Sequence, residues 1–304
     1  MSHITLPVRR PLQCRFCGVQ VTGRLRCDYC YASNGTPIVY CTPKCKDQDR
    51  IGHEPYCSWL WSANGVWRKA QILMETWKLT RELTFEQPYW GVFQFRQCLM
   101  VVKDTRAVIA SYNTYAPPAG LNEADKWACM MYNACDDAHF LMWDLIVDML
   151  GDDLQEMKWI LLKPIPVRPT ELYNNPRFYE PRPAHSVLKI KLRNGQQWVL
   201  DLTGAQYGFT EFFVPYHIYK KKCRRGYEVE LDELEELNRS VEDPVMDGFF
   251  VWWRSRRQVL RSAYVQWMIQ SDLDLAGVVR LPEPAFVAEM QRFVWFFDRY
   301  LQSH

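Results

Sequence analysis

The chain has 304 residues, 48% hydrophobic and 24% charged, and a net charge of only +2. That length and balance give a globular chain with a large core in one or two domains, and any nucleic-acid contact must rest on local basic patches. No run of eighteen apolar residues occurs, so no membrane span is expected. Residues 1–7 lack the apolar stretch of a secretory signal, which points to the reducing cytoplasm or nucleus, with the cytoplasm taken as the expected location. Eleven cysteines in such a compartment suggest metal rather than disulfides, and seven of the eleven precede residue 58.

Those seven cysteines and one histidine form four pairs in series: Cys14 with Cys17, Cys27 with Cys30, Cys41 with Cys45, and His53 with Cys57. Two or three intervening residues let both members of a pair reach one ion, and zinc closes a tetrahedral shell of four such ligands. Eight ligands therefore make two shells. The spacing, with Tyr40 before Cys41, resembles the MYND finger. In that family the pairs interleave. The resemblance implies one zinc on Cys14, Cys17, Cys41 and Cys45 and a second on Cys27, Cys30, His53 and Cys57. Both zinc ions would be structural, since no ligand position is left open. MYND fingers commonly bind proline-containing peptides, which makes such a peptide an implied partner. A segment this small has too little apolar surface to fold without its ions. The expected architecture is α+β: a two-zinc cross-brace finger over residues 1–60, then one larger α+β domain over 61–304.

Residues 65–83 read as a helix, with Val66, Ala70, Leu73 and Trp77 at helical spacing. Past Pro88, residues 92–95 and 99–102 read as extended. Residues 115–120 form a loop. Asn122 is placed to cap one long helix that Gly151 ends after Leu150. A second short helix is expected from Asp152 or Asp153.

Asp152, Asp153 and Glu156 spell DDxxE. On a helical turn Asp153 and Glu156 share a face, with Asp152 beside it. Carboxylates so grouped can grip a guanidinium or hold a proton. They can equally form a helix cap, with Asp153 at the N-cap and Glu156 three residues on. The DDxxE motif, the block from His185 to Lys191 and the block from Val199 to Gly208 resemble the fungal arginine-containing cyclodipeptide synthases. The resemblance implies an enzyme that joins arginine to a second amino acid as a diketopiperazine. Its substrates would be arginyl-tRNA and a second aminoacyl-tRNA, and Asp152, Asp153 and Glu156 would be needed for activity. The aminoacyl ester is already activated, so such an enzyme needs only to position an amine against it.

Residues 164–183 are proline-rich and irregular. Residues 185–202 read as a hairpin. Matching the apolar faces pairs Ile190 with Trp198 and Leu188 with Leu200, and leaves a three-residue loop at Arg193-Asn194-Gly195. In that register His185 and Asp201 lie diagonally on one face, within hydrogen-bond reach. A carboxylate there fixes the imidazole tautomer and favours its charged form. The pair resembles the His/Asp half of transglutaminase- and papain-like enzymes. A nucleophile would come from Cys98, Cys129, Cys135 or Cys223. Cys135 falls in the middle of the expected long helix, beside Asp136 and Asp137, which disfavour its thiolate. A solvated polar strand face accounts for the His/Asp pair equally well.

Lys220, Lys221, Lys222, Arg224 and Arg225 form a basic run, with an acidic run at residues 228–236 able to neutralise it. Arg254, Arg257 and Arg261 make a stripe on an expected helix over 247–270, and residues 286–301 read as a last helix. Both basic sets are candidates for tRNA phosphates. Two other readings stay open: a MYND adaptor that only binds partners, and a Cys-His-Asp acyltransferase or hydrolase. A SET-type methyltransferase is disfavoured, because no matching glycine-rich or Asn-His cofactor motif is found.

Overall fold

The computed structural model describes residues 12–14, 16–21, 25, 39–85, 89–103, 116–173, 184–231, 247–271 and 273–304. Of residues 12, 50–64, 90 and 247–252 only the backbone is described. Cys27 and Cys30 lie outside the described residues, as do the side chains of His53 and Cys57. The chain is mixed helix and sheet, consistent with α+β. It divides into two compact units: one holds the described residues through Arg68 together with Val279–Val287, the other Lys69–Val278 with Ala288–His304.

In the first unit, β1 (Leu12–Gln13) pairs with β2 (Gln20–Val21), and Cys14 bridges to Val39. Helix α1 (Pro43–Thr84) begins just after Cys41 and runs on into the second unit, so the expected helix over 65–83 is the latter part of a longer one. Arg68, buried, donates to the carbonyls of Val279 (2.9 Å) and Leu281 (2.6 Å), pairs with Glu283 at 2.7 Å and lies over the Phe286 ring. Those bonds tie the late segment into this unit.

The second unit is built on a five-stranded antiparallel sheet of β5 (Leu154–Pro164), β7 (His185–Leu192), β8 (Gln197–Leu200), β9 (Phe213–Pro215) and β10 (Cys223–Leu231), in the order β10-β5-β7-β8-β9. A second sheet joins β3 (Tyr89–Phe95) and β4 (Cys98–Lys103) to β6 (Thr170–Leu172), the last pairing parallel. In β7 and β8, Leu188 faces Leu200 and Ile190 faces Trp198, the register that matching apolar faces gives. The loop is residues 193–195: Leu192 and Gln196 are hydrogen-bonded, and Gly195 sits at φ 82°, a conformation side chains resist. One core of this sheet gathers Ile160, Leu162, Val187, Val199, Tyr207, Phe209, Val214, Tyr219 and Cys223.

Two expectations are corrected here. The segment from Asn122 to Leu150 is two helices, α2 (Glu123–Met130) and α3 (Cys135–Leu150). Asn122 does cap the first, accepting from the Asp125 N–H at 2.9 Å. The break falls at residues 131–134, where Asn133 takes φ 56°, a left-handed value that stops a helix and that asparagine tolerates. Acidic Asp136 and Asp137 then fill the first turn of α3, where the helix dipole favours them. The second correction is at DDxxE. No α-helix begins there: Gly151–Asp153 is a single 3-10 turn, and Glu156 already lies in β5. Asp153 caps nothing, and the shared helical face of Asp153 and Glu156 does not exist.

Beyond the sheet, α4 (Tyr216–Tyr219) leads through a turn into β10, and α5 (Asp247–Gln270) packs on α3. Short α6 (Leu275–Val278) and then α7 (Glu283–Ser303) complete the described chain.

Candidate functional site

Four cysteines converge in the first unit. The ligand atoms of Cys14, Cys17, Cys41 and Cys45 all lie within 4.8 Å of one another. Four sulfurs each about 2.3 Å from a common ion would stand about 3.8 Å apart. The observed separations of 3.4 Å (Cys17 to Cys41) and 3.5 Å (Cys41 to Cys45) are close to that, and too long for disulfides. Two local devices set the cluster. The turn after β1 brings Cys14 and Cys17 together, with the Gly18 N–H on the Cys14 carbonyl, and the first turn of α1 presents Cys45 beside Cys41. Burial raises the Cys14 thiol, but backbone N–H groups of Cys17, Cys41 and Phe16 outweigh it and bring it down to about 6. N–H groups aimed at a sulfur are what a metal-bound thiolate needs. The four residues fit one metal ion.

A second site lies at the start of α3. His185 opens β7 and Asp201 follows β8, so the hairpin sets them side by side: His185 Nε2 is 2.9 Å from Asp201 Oδ1. Both are fully buried. The carboxylate is held from every side. Its Oδ1 also accepts from the Thr203 N–H at 3.1 Å, and its Oδ2 accepts from the Tyr219 hydroxyl at 2.6 Å. Gly204 passes so close that an added Cβ would sit 2.5 Å from Oδ2, which explains a glycine at that point of the loop. Tyr207 covers the imidazole at 4.6 Å between ring centres.

Burial alone would discharge His185, yet the charge of Asp201 and its hydrogen bond, with a smaller contribution from neighbouring Cys135, raise the ring to about 10. Asp201 is pushed the other way: its burial is overcome by His185, Tyr219 and the Thr203 N–H, and its carboxyl is lowered. The second ring nitrogen of His185, Nδ1, is buried without a hydrogen-bond partner among the described residues, and Cys135 is near enough to add to the upward shift of the ring. Cys135 is the first residue of α3 and half-buried. The expectation of a mid-helix cysteine is therefore wrong. Neighbouring Asp136 accepts from the Ser186 hydroxyl, and Asp137 lies 3.9 Å from Arg81, so both acids have partners of their own.

The other candidate thiols lack this setting. Burial raises Cys129 to about 12 and Cys223 to about 11. Reading the sequence alone missed His139, one turn beyond Cys135 in α3. Its Nδ1 bonds the Cys135 carbonyl, its ring stacks on Trp159, and burial, helped by nearby His185, lowers it to about 3. Tyr219 was missed as well. The signal for His139 was its i+4 spacing from Cys135; nothing local marks Tyr219.

The remaining sequence candidates do not join this site. Asp152 is fully exposed, 3.8 Å from Arg193; Asp153 pairs with Lys69 at 2.8 Å; Glu156 is 3.4 Å from Lys158. They lie beyond the far end of α3, whose 16 residues span about 24 Å from Cys135. Arg257 grips Asp144 with two bonds of 2.7 and 2.6 Å, and Arg261 reaches Asp148 at 2.7 Å, so the stripe binds α5 to α3. Arg254 is exposed. Lys220 pairs with Glu228 and Lys222 with Glu211, while Lys221, Arg224 and Arg225 are exposed. Among the described residues no helix is long and apolar enough to cross a membrane.

Comparison with known proteins gave no matching family model, no match among curated proteins and none among solved structures.

Proposed function

We propose that the chain is a thiol-dependent acyl-transfer enzyme, with Cys135 as nucleophile, His185 as its proton partner and Asp201 as the group that orients and charges the imidazole. The carrying observation is the meeting of a half-buried cysteine at a helix start with a buried His–Asp pair whose carboxylate is bonded at both oxygens. In this reading the Cys135 sulfur attacks an acyl carbonyl while the proton shared with His185 rests on Nδ1. The resulting tetrahedral adduct collapses to a thioester, the bond to the leaving group breaks, and His185 gives its proton to that group. An amine or water then takes the acyl unit from the thioester.

An arginine-containing cyclodipeptide synthase is a narrower form of the same chemistry, in which an aminoacyl-tRNA ester is the donor and a second α-amine the acceptor. The resemblance at residues 152–156, 185–191 and 199–208 supports it. The carboxylates of Asp152, Asp153 and Glu156 would then bind a side chain or a partner, not the reacting carbonyl. Expression in a heterologous host, with a mass-spectrometric search for arginine-containing diketopiperazines, tests that form.

The broader reading is tested with iodoacetamide and peptide mapping. Cys135 should alkylate at least about tenfold faster than half-buried Cys98, and His185→Gln should remove most of the difference. Equal rates at Cys135 and Cys98, unmoved by His185→Gln, would sink it.

At the finger we propose zinc as the ion on Cys14, Cys17, Cys41 and Cys45, because a closed set of four thiolates is a structural zinc site. Cys27, Cys30, His53 and Cys57 would hold a second.

A further inference from the structure

Gln206 lies in the 3-10 turn Gly204–Tyr207 that follows Asp201, and it is 94% buried, at 6% exposure. Its Oε1 accepts from the Asn133 N–H at 3.1 Å. That bond fixes the orientation of the carboxamide, since a backbone N–H requires the oxygen and not the nitrogen. The nitrogen, Nε2, is left buried with no hydrogen-bond partner. Buried amide donors are nearly always satisfied, and one that is not calls for a reason.

The surroundings supply one. Asn133 stands two residues before Cys135 in the break that starts α3. Tyr207, next in sequence to Gln206, covers the His185 ring. Gln206 is therefore joined on one side to the turn that carries the nucleophile and on the other to the residue against its proton partner. The first N–H groups of α3 are also outside the helical ladder, whose first bond runs from Ala138 to the Ala134 carbonyl.

We propose that the Gln206 Nε2–H donates to the acyl oxygen of the substrate as it becomes an oxyanion, with the backbone N–H groups at the start of α3 as its companions. This deepens the thiol acyl-transfer reading and rests on it. Negative charge forms on that oxygen when the Cys135 sulfur adds to the carbonyl carbon, and it vanishes when the leaving group departs. A donor held ready by Asn133 stabilises that charge without having to reorient. The ligand class is a planar acyl group, ester or amide, whose oxygen would supply the acceptor that Nε2 lacks.

The test uses two probes on the full chain. p-Nitrophenyl acetate acylates Cys135 through an oxyanion, releasing p-nitrophenolate and leaving an acetyl thioester. Iodoacetamide alkylates the same sulfur by displacing iodide, with no oxyanion. Gln206→Ala should slow acylation by about a hundredfold and leave alkylation within about threefold. Gln206→Met keeps the side chain's bulk and adds no buried charge but removes the donor, and should show the same split. Parallel loss with both probes would mean a structural role, and unchanged acylation would mean no role; either overturns the proposal. Wild-type protein that alkylates at Cys135 in a His185-dependent way but is not acylated would also overturn it. A Cys135 that fails to alkylate preferentially removes the underlying reading instead.

Discussion

His139 and His185 both sit near Cys135 and are driven to opposite charge states. Burial holds His139 neutral with a value of about 3, whereas Asp201 and Cys135 hold His185 charged with a value of about 10. The difference is one carboxylate and where it stands. For His185 the folded value lies above the ordinary 6.5, so folding binds its proton. That contribution to stability is complete below about pH 6.5, declines as pH rises and is gone above about 10. Asp201 acts in the opposite sense: its carboxyl is lowered, so its share is present at neutral pH and lost as acid protonates it. We expect the melting temperature of wild type to fall between pH 6.5 and 10 more steeply than that of His185→Gln, whose curve lacks this term. Parallel curves for the two proteins would contradict a charged, buried His185. The pairing of His185 with Asp201 was legible in the sequence because a strand alternates its faces and a three-residue loop fixes the register. The satisfaction of Asp201 by Tyr219 was not, because that partner comes from α4, outside the hairpin.

At the scale of the element, the decisive feature is a four-residue interruption. Met130, Met131, Ala134 and Ala138 are all fully buried, so the apolar pattern runs on through the break and hides it. Pattern alone joins α2 to α3 and places Cys135 in mid-helix. What ends α2 is the left-handed backbone at Asn133, and what begins α3 is the acidic pair Asp136 and Asp137. The same blindness to local backbone explains the misreading of DDxxE. The carboxylates at 152, 153 and 156 look helical by spacing, but Gly151 at φ 48° turns the chain into β5, where Trp159, Ile160 and Leu162 are buried in the sheet. We expect Asn133→Gly to preserve fold and Cys135 reactivity, since glycine takes positive φ freely. Asn133→Val should destabilise by about 1–2 kcal/mol and slow alkylation of Cys135, because a branched side chain resists that backbone and moves the helix start. Denaturant melts and peptide-mapped alkylation of both variants decide it; equal behaviour would mean the break is held by something other than Asn133.

For the molecule as a whole, chelate spacings, which are local by nature, marked Cys14, Cys17, Cys41 and Cys45 as candidate ligands, and the structure brings those four together. The sequence did not announce that the first unit also takes in Val279–Val287, since Arg68 finds its carbonyl partners far along the chain. The two units have separate means of support. The first rests on its cysteine cluster, with Cys14 and Tyr40 buried against Val21, Leu25 and Cys45. The second has the sheet core and the buried Leu73 and Trp77 of α1, none of which depends on a metal. If zinc is structural and confined to the first unit, removing it should unfold that unit and spare the chemistry of the second. We expect two equivalents of zinc in the purified protein and one in Cys17→Ser, by elemental analysis. Stripping the metal with a chelator should abolish part of the helical signal, because α1 begins at the cluster with Cys45 in its first turn. Alkylation of Cys135 by iodoacetamide should stay within about twofold of the metal-loaded rate, as its support from His185 and Asp201 lies entirely in the second unit. A tenfold fall in that rate on metal removal would show that the two units fold as one, and a single equivalent of zinc in the wild type would remove the second shell.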